Sequence, residues 1–404
     1  MRDKASSPEV VIAVLLGLLV VAGVAFGSGS DGGDPATAGA RAAAAKVAPI
    51  ARRVEAIRGL RFEKLPEPLI VTPAEARRDA LADVDRNKPQ AIHASERVGE
   101  LLGLLPPRTD LRAVEGGLFD EQVLGFYDPH RKRLAIVAGS TAGDDTTSEI
   151  TLAHELDHAV DDQHFDLDRT APPATDDGSL AFSALVEGTA TSVMTDYARR
   201  YISAGSTLKS ALASLGSASS TDSIPPYLLN SLLVTYLSGQ KFVDRLRAVA
   251  GDWKLVNYAF SERPPASSEQ VIHPEKYLVN ERPDRVSLPP AVAGLKRTAH
   301  GTFGEFDTDQ LLRLGVDPTE AGNAAAGWGG GDYALWGDDV LVVAWAWDTR
   351  ADAAEFDRAL RRYVGQVRPG DAAAVRAAGL RSVLVIAPDE GMASRVAERA
   401  VAAR

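Results

Sequence analysis

The 404-residue sequence contains no cysteine. Disulfides and a lipidated cysteine are therefore excluded, and the fold must rest on its core, which a chain of this length is large enough to build. Basic charge is scarce relative to acidic: 44 Lys and Arg stand against 55 Asp and Glu, a formal net charge of −11. A nucleic-acid partner is not expected, because gripping a phosphate backbone needs a basic face. Internal repeats are absent, and only seven histidines occur. What is present, 45% apolar and 25% charged residues, is the composition of a globular protein of one large or two ordinary domains.

One long apolar run stands out. Residues 10–27 (VVIAVLLGLLVVAGVAFG) carry no charge, and at ~1.5 Å per residue they reach about 27 Å, just enough to cross a bilayer. Arg2 and Lys4 precede the run, and Asp31 and Asp34 are the first charges after it. That asymmetry predicts a cytoplasmic N-terminus with everything after residue 30 outside. Two fates are open: an uncleaved single-pass signal anchor in the cell membrane, or a cleaved signal peptide and a secreted protein. The length of the run and the poor small-x-small pattern at residues 24–28 favour the anchor.

Beyond a Gly/Ser/Asp linker at 28–36, residues 37–61 have helical spacing, which Pro49 is expected to break in two. Residues 69–71 form a short strand, Pro73 opens a polar helix, and 91–105 is another helix. Two β-rich runs within 122–138 flank Asp128-Pro129-His130-Arg131, a turn-forming tetrad, and predict a β-hairpin. Long helices are expected at 146–165, from 179 to about 203, and at 225–250, with irregular chain at 166–178, 214–223 and 264–274. From about residue 299 the pattern changes to strands at 332–336 and 340–347, a helix at 351–364, a strand at 382–387 and a helix at 391–403. The alternation Trp345-Ala346-Trp347 is expected to pack a sheet.

Within the 146–165 helix lies His154-Glu155-Leu156-Asp157-His158. One helical turn separates the two histidines, so both imidazoles leave one face about 6 Å apart and can share a cation. Glu155 sits beside that face, placed to take a proton from water that the metal activates. A solvated helix carrying two unrelated histidines is the alternative. Zinc needs a third protein ligand. Asp161, Asp162 and His164 follow on the same helix, yet they project past the site. Glu187, in Ala184-Leu185-Val186-Glu187-Gly188-Thr189-Ala190, is the better choice, since a carboxylate on an apolar helix is costly to bury unless a cation faces it. Gly188 and Ala190 would let that helix pass close to the first. An ion pair between Glu187 and an arginine is the other explanation.

His154-Glu155-Leu156-Asp157-His158-Ala159-Val160-Asp161-Asp162, with Glu187 on a second helix, resembles the gluzincin zinc metallopeptidases, whose motif helix is thermolysin-like. The resemblance covers roughly residues 123–277. It implies that His154, His158 and Glu187 bind Zn²⁺ and that Glu155 is the general base. Thr191, not Asp, stands four residues after Glu187, so the carboxylate with which that family orients a histidine is missing. The loop between the helices and the flanking regions also differ, which marks a divergent member. In such enzymes an edge strand beside the cleft pairs with extended substrate backbone. Residues 123–127 or 133–137 would supply it, the second directly preceding the motif helix. His273 is the leading candidate for oxyanion stabiliser, with Tyr277 and Tyr236 as alternatives and a structural histidine bonded to local backbone as the other reading of His273; His93, His130 and His300 have no assigned role.

The expected fold is α+β: an N-terminal transmembrane helix, a mainly helical zincin-like catalytic core (37–298) with a β-hairpin or small sheet before the motif helix, and a C-terminal ββαβα layer (299–404). The expected function is zinc-dependent hydrolysis of peptide bonds in a peptide or protein substrate, outside the cytoplasmic membrane. Two alternatives stand beside it. One is a catalytically silent surface binding protein stabilised by zinc. The other is a scaffold in which the motif is accidental. Substrate preference, endo- or exopeptidase action and oligomeric state are not determined by the sequence.

Overall fold

The computed structural model describes residues 35–403, apart from 86–88, 123–124, 139–144, 170–174, 203–223, 293 and 369–371. Helices α1 (Pro35–Ala45) and α2 (Val47–Arg58) open the described chain. The break between them falls at Lys46 and not at Pro49. Pro49 lies in the first turn of α2, where the missing amide had no intrahelical acceptor to reach.

Strands β1 (Pro68–Val71), β2 (Gly125–Asp128) and β3 (Arg133–Val137) form a sheet in the order β1-β3-β2. β1 runs parallel to β3, with Leu69 opposite Ala135, and β2 runs antiparallel to it, with Tyr127 opposite Leu134. The hairpin is thus present, but the suggestion that residues 133–137 form a substrate-binding edge is corrected. β3 is paired on both sides; β1 and β2 are the edges.

Between β1 and β2 the chain forms α3 (Pro73–Val84), α4 (Pro89–Leu102) and α5 (Leu111–Gln122). The motif helix is α6 (Asp145–Phe165). Leu152, Leu156 and Val160 of α6 pack with Ile50 and Val54 of α2 and with Leu134 and Ile136 of β3. Every residue from 151 to 162 is buried, so α6 is enclosed on all sides and not a one-sided amphipathic helix.

Thr175 caps the next helix, α7 (Asp176–Tyr201), accepting a hydrogen bond from the Gly178 amide. α7 crosses α8 (Pro226–Ala250) in backbone contact. A Cβ on Gly188 would lie 2.2 Å from the Gly239 carbonyl carbon, and one on Gly239 would lie 2.1 Å from the Ala184 carbonyl oxygen. Gly188 therefore admits α8, not α6 as the sequence suggested. α9 (Lys254–Ser261), α10 (Ser268–Ile272) and α11 (Pro274–Leu278) close this helical part.

The C-terminal part contains β4 (Arg297–Thr302), α12 (Glu305–Leu312), α13 (Pro318–Ala325), β5 (Trp328–Trp336) and β6 (Val340–Trp347), then α14 (Arg350–Val367), β7 (Ala373–Ala378), β8 (Arg381–Ile386) and α15 (Glu390–Ala402). Its five strands are antiparallel in the order β4-β5-β6-β8-β7. Along β6, Leu341, Val343, Trp345 and Trp347 enter the core shared with Phe356 and Leu360 of α14 and with Val98 of α4. Val340, Val342 and Ala344 enter the opposite core with Val396 and Ala397 of α15. Both faces are covered, which is why this strand is apolar throughout.

The expected fold is corrected in two respects. The ββαβα layer is a five-stranded sheet with two more strands, because RTAHGT (β4) and AAVRAA (β7) dilute their few β-branched residues with Ala, Gly and Arg and so carry a weak strand signal. The transmembrane helix is not part of the described fold: among the described residues no helix is long and apolar enough to cross a membrane. Residues 10–27 lie outside the described residues.

Candidate metal centre

α6 and α7 bring His154, His158 and Glu187 together. Glu187 Oε2 lies 3.3 Å from His154 Nε2 and 3.5 Å from His158 Nε2, and the two Nε2 atoms are 2.9 Å apart. All three side chains are buried, and one donor atom from each falls within a sphere of contact suited to a single ion. Glu187 Oε2 is buried against the two ring nitrogens without hydrogen-bond geometry to either, a costly state that a cation among the three would relieve; His154 Nδ1, on the other side of its ring, is also buried without a partner.

Electrostatics in the ion-free trio follow from this crowding. Burial pushes His154 down to about 4. Burial also opposes charge on His158, but the Glu187 carboxylate outweighs it and holds His158 up at about 9. For Glu187, burial is overcome by the attraction of the two close imidazoles, that of His158 first, and its carboxyl is held at about 2. A proton on His158 facing an ionised Glu187 is the consistent state.

Glu155 turns towards the β-sheet. Its Oε2 accepts the Tyr127 amide of β2 at 2.7 Å, while Oε1 is buried without a partner. Burial raises this carboxyl to about 8. The unpaired oxygen is the one free to take up a proton.

Tyr236, on α8, is the aromatic neighbour of the trio. Its ring lies 6.3 Å from that of His154, and its buried phenol is within hydrogen-bonding reach of Glu187. The Gly188–Gly239 crossing explains the placement, since Glu187 adjoins one glycine and Tyr236 lies three residues from the other. Of the three residues weighed for the oxyanion, Tyr236 is thus the one brought beside His154 and Glu187. His273 Nε2 pairs with Glu305 Oε1 at 2.8 Å, where α11 meets α12, and the Tyr277 hydroxyl donates to the Arg263 carbonyl.

The other acidic and histidine residues near the motif are engaged elsewhere. Asp161 faces Arg58 Nε at 2.9 Å, and Asp162 accepts from Tyr127 and Lys132. His164 Nε2 meets the Arg61 carbonyl, and His130 Nδ1 meets Asp168. His93 is exposed beside Asp338, and His300 lies in β4. Thr191 is fully buried with its hydroxyl unpartnered. A second acidic group, Glu269, Glu281 and Asp348, surrounds the Lys276 ammonium, which already supplies the balancing charge. The Tyr127 amide and the buried Arg58 were not legible in the sequence. A main-chain donor has no residue code, and Arg58 is one basic residue among many.

Residues 291–401 match a family described as a domain of unknown function (DUF8575). That stretch holds the five-stranded sheet and contains none of His154, Glu155, His158, Glu187 and Tyr236. No curated protein matches the chain, and no solved structure does.

Proposed function

We propose that the protein is a zinc-dependent peptidase. The observation that carries this is the convergence of one Glu187 oxygen on two Nε2 atoms, 3.3 and 3.5 Å away, all three side chains being buried. Two imidazoles and a carboxylate suit zinc and leave one position of a tetrahedral site open. Zinc supplies Lewis acidity there, polarising a carbonyl and acidifying water.

The chain's own residues fill the remaining roles. Glu155, held through Oε2 by the Tyr127 amide, accepts the proton of the attacking water on Oε1 and returns it to the leaving amine. The Tyr236 phenol, kept protonated by burial and by Glu187, donates to the oxygen on which charge develops. His273 is reassigned in this proposal to the junction with the C-terminal sheet. The charge order around residues 10–27 supports a site of action outside the cytoplasmic membrane.

A zinc-stabilised binding protein shares the ligand trio but needs no general base. The experiment that separates the two measures zinc content and turnover on a broad peptide library for wild type and Glu155→Gln. The expected result is one zinc per chain in both, with turnover reduced by roughly 10²–10⁴-fold in the variant. Bound zinc without cleavage of any peptide by the wild type would favour the binding protein, and metal-free protein would exclude both.

A further inference from the structure

A single residue of the hairpin grips the motif helix at two points. The Tyr127 backbone N–H donates to Glu155 Oε2 at 2.7 Å, and its phenol O–H donates to Asp162 Oδ2 at 2.7 Å. Glu155 and Asp162 are seven residues apart on α6, which is two turns, so both project from nearly the same side of the helix about 10 Å apart. Tyr127 lies along that side, buried. We propose that the Tyr127–Asp162 hydrogen bond is a positioning lock, which holds the Tyr127 amide on Glu155 and thereby sets the orientation of the general base.

Three observations support a lock rather than ordinary packing. First, Tyr127 lies on the edge strand β2 with its amide turned away from β3, so no ladder partner holds that N–H in place. Its direction depends on what fixes the residue as a whole. Second, Asp162 is nearly fully buried and spends its acceptor capacity on this corner, taking Tyr127 O–H on one oxygen and Lys132 Nζ and the Leu167 amide on the other. Third, Lys132 in the hairpin turn and Asp166 at the end of α6 both adopt left-handed backbone conformations, φ 53° each, and meet in an ion pair at 3.0 Å. That region is uncommon for non-glycine residues, and more so for a long side chain such as Lys132 than for an aspartate. Turn, strand and helix end are thus tied together at Asp162, and the untied end of the same connection is the Glu155 carboxylate. Burial, with the neighbouring Asp162, pushes the phenol's ionisation upward, which favours its donor form.

The inference rests on the peptidase proposal for its catalytic meaning, and the test keeps the two separable. Wild-type and Tyr127→Phe full-length protein are compared for zinc content, kcat and KM on one cleaved peptide, and hydrogen exchange at the residue 127 amide. Phe retains the ring and removes only the phenol oxygen. The lock predicts unchanged zinc, KM within about twofold, kcat reduced at least tenfold, and at least tenfold faster exchange at residue 127. A Tyr127→Phe step in the Asp162→Asn background reports whether the partner is Asp162, the expected result being a much smaller further loss. Unchanged kcat with unchanged exchange overturns the lock while leaving the peptidase reading intact. If the wild type cleaves nothing, the peptidase reading fails, and exchange alone decides: unaltered protection in Tyr127→Phe then overturns the lock.

Discussion

At the scale of single residues, the candidate site is unusual for how much polarity it buries around so few partners. His154, Glu155 and Glu187 each keep an atom that no protein group satisfies. Such atoms are costly unless something else meets them; a divalent ion with its water would answer the Glu187 and Glu155 oxygens, whereas His154 Nδ1 lies on the other side of its ring. The phenol of Tyr236 is the second feature of this scale, since it reaches the site from a third helix. Tyr236→Phe should keep zinc and lower kcat about 10²-fold, with KM nearly unchanged, because a donor used only as charge develops acts on the transition state and not on the bound substrate. Steady-state kinetics on any cleaved peptide checks this, and an unaltered kcat would remove Tyr236 from the mechanism.

At the scale of elements, the site depends on how closely helices approach. α7 and α8 touch backbone to backbone at Gly188 and Gly239, and Glu187 and Tyr236 follow from that contact. Gly239→Ala would place a methyl group 2.1 Å from the Ala184 carbonyl oxygen, which belongs to backbone and cannot swing aside. The expected cost is about 1–3 kcal/mol of stability, read by chemical denaturation, together with weaker zinc retention as Glu187 is displaced. Equal stability and equal zinc in the variant would show that the crossing tolerates separation. α2 plays a matching part beneath α6: its fully buried Arg58 faces Asp161 and Asp157, and donates to Asn257 of α9. The N-terminal helices are thus part of the frame on which the motif helix is mounted.

At the scale of the whole molecule, the helical part and the C-terminal sheet meet over buried carboxylates. Asp177 at the start of α7 accepts the Ser268 amide, Asp176 accepts the Tyr333 hydroxyl of β5, and Asp307 of α12 accepts the Tyr227 hydroxyl of α8. Burial pushes Asp177 up to about 7 and Asp307 up to about 6. The folded state therefore holds protons that the unfolded chain has already released, and stability falls as pH rises from the ordinary carboxyl range of about 4 towards 7. Asp177→Asn removes one such titration. Its melting temperature relative to wild type should rise between pH 5 and pH 8, and a difference that stays flat across that range would refute the assignment.

The sequence by itself determined the local items. The two-histidine turn with its adjacent glutamate, the hairpin before it, the apolar helix bearing Glu187 and the sheet-packing Trp345 and Trp347 each rest on periodicity or spacing within about twenty residues. That is the range over which backbone geometry alone dictates which side chains share a face. Tertiary structure decided everything that joins distant segments. It placed β3 between β1 and β2, because strand pairing is a contact between segments more than sixty residues apart. It drew β4 and β7 into the sheet despite weak strand character, since partners on the ladder override propensity. It set Gly188 against α8, Tyr236 beside Glu187, His273 against Glu305 and the Tyr127 amide on Glu155. The physical reason is common to all of these: a side chain's neighbours across space are chosen by packing and hydrogen-bond satisfaction over the entire chain, and no window of sequence contains them.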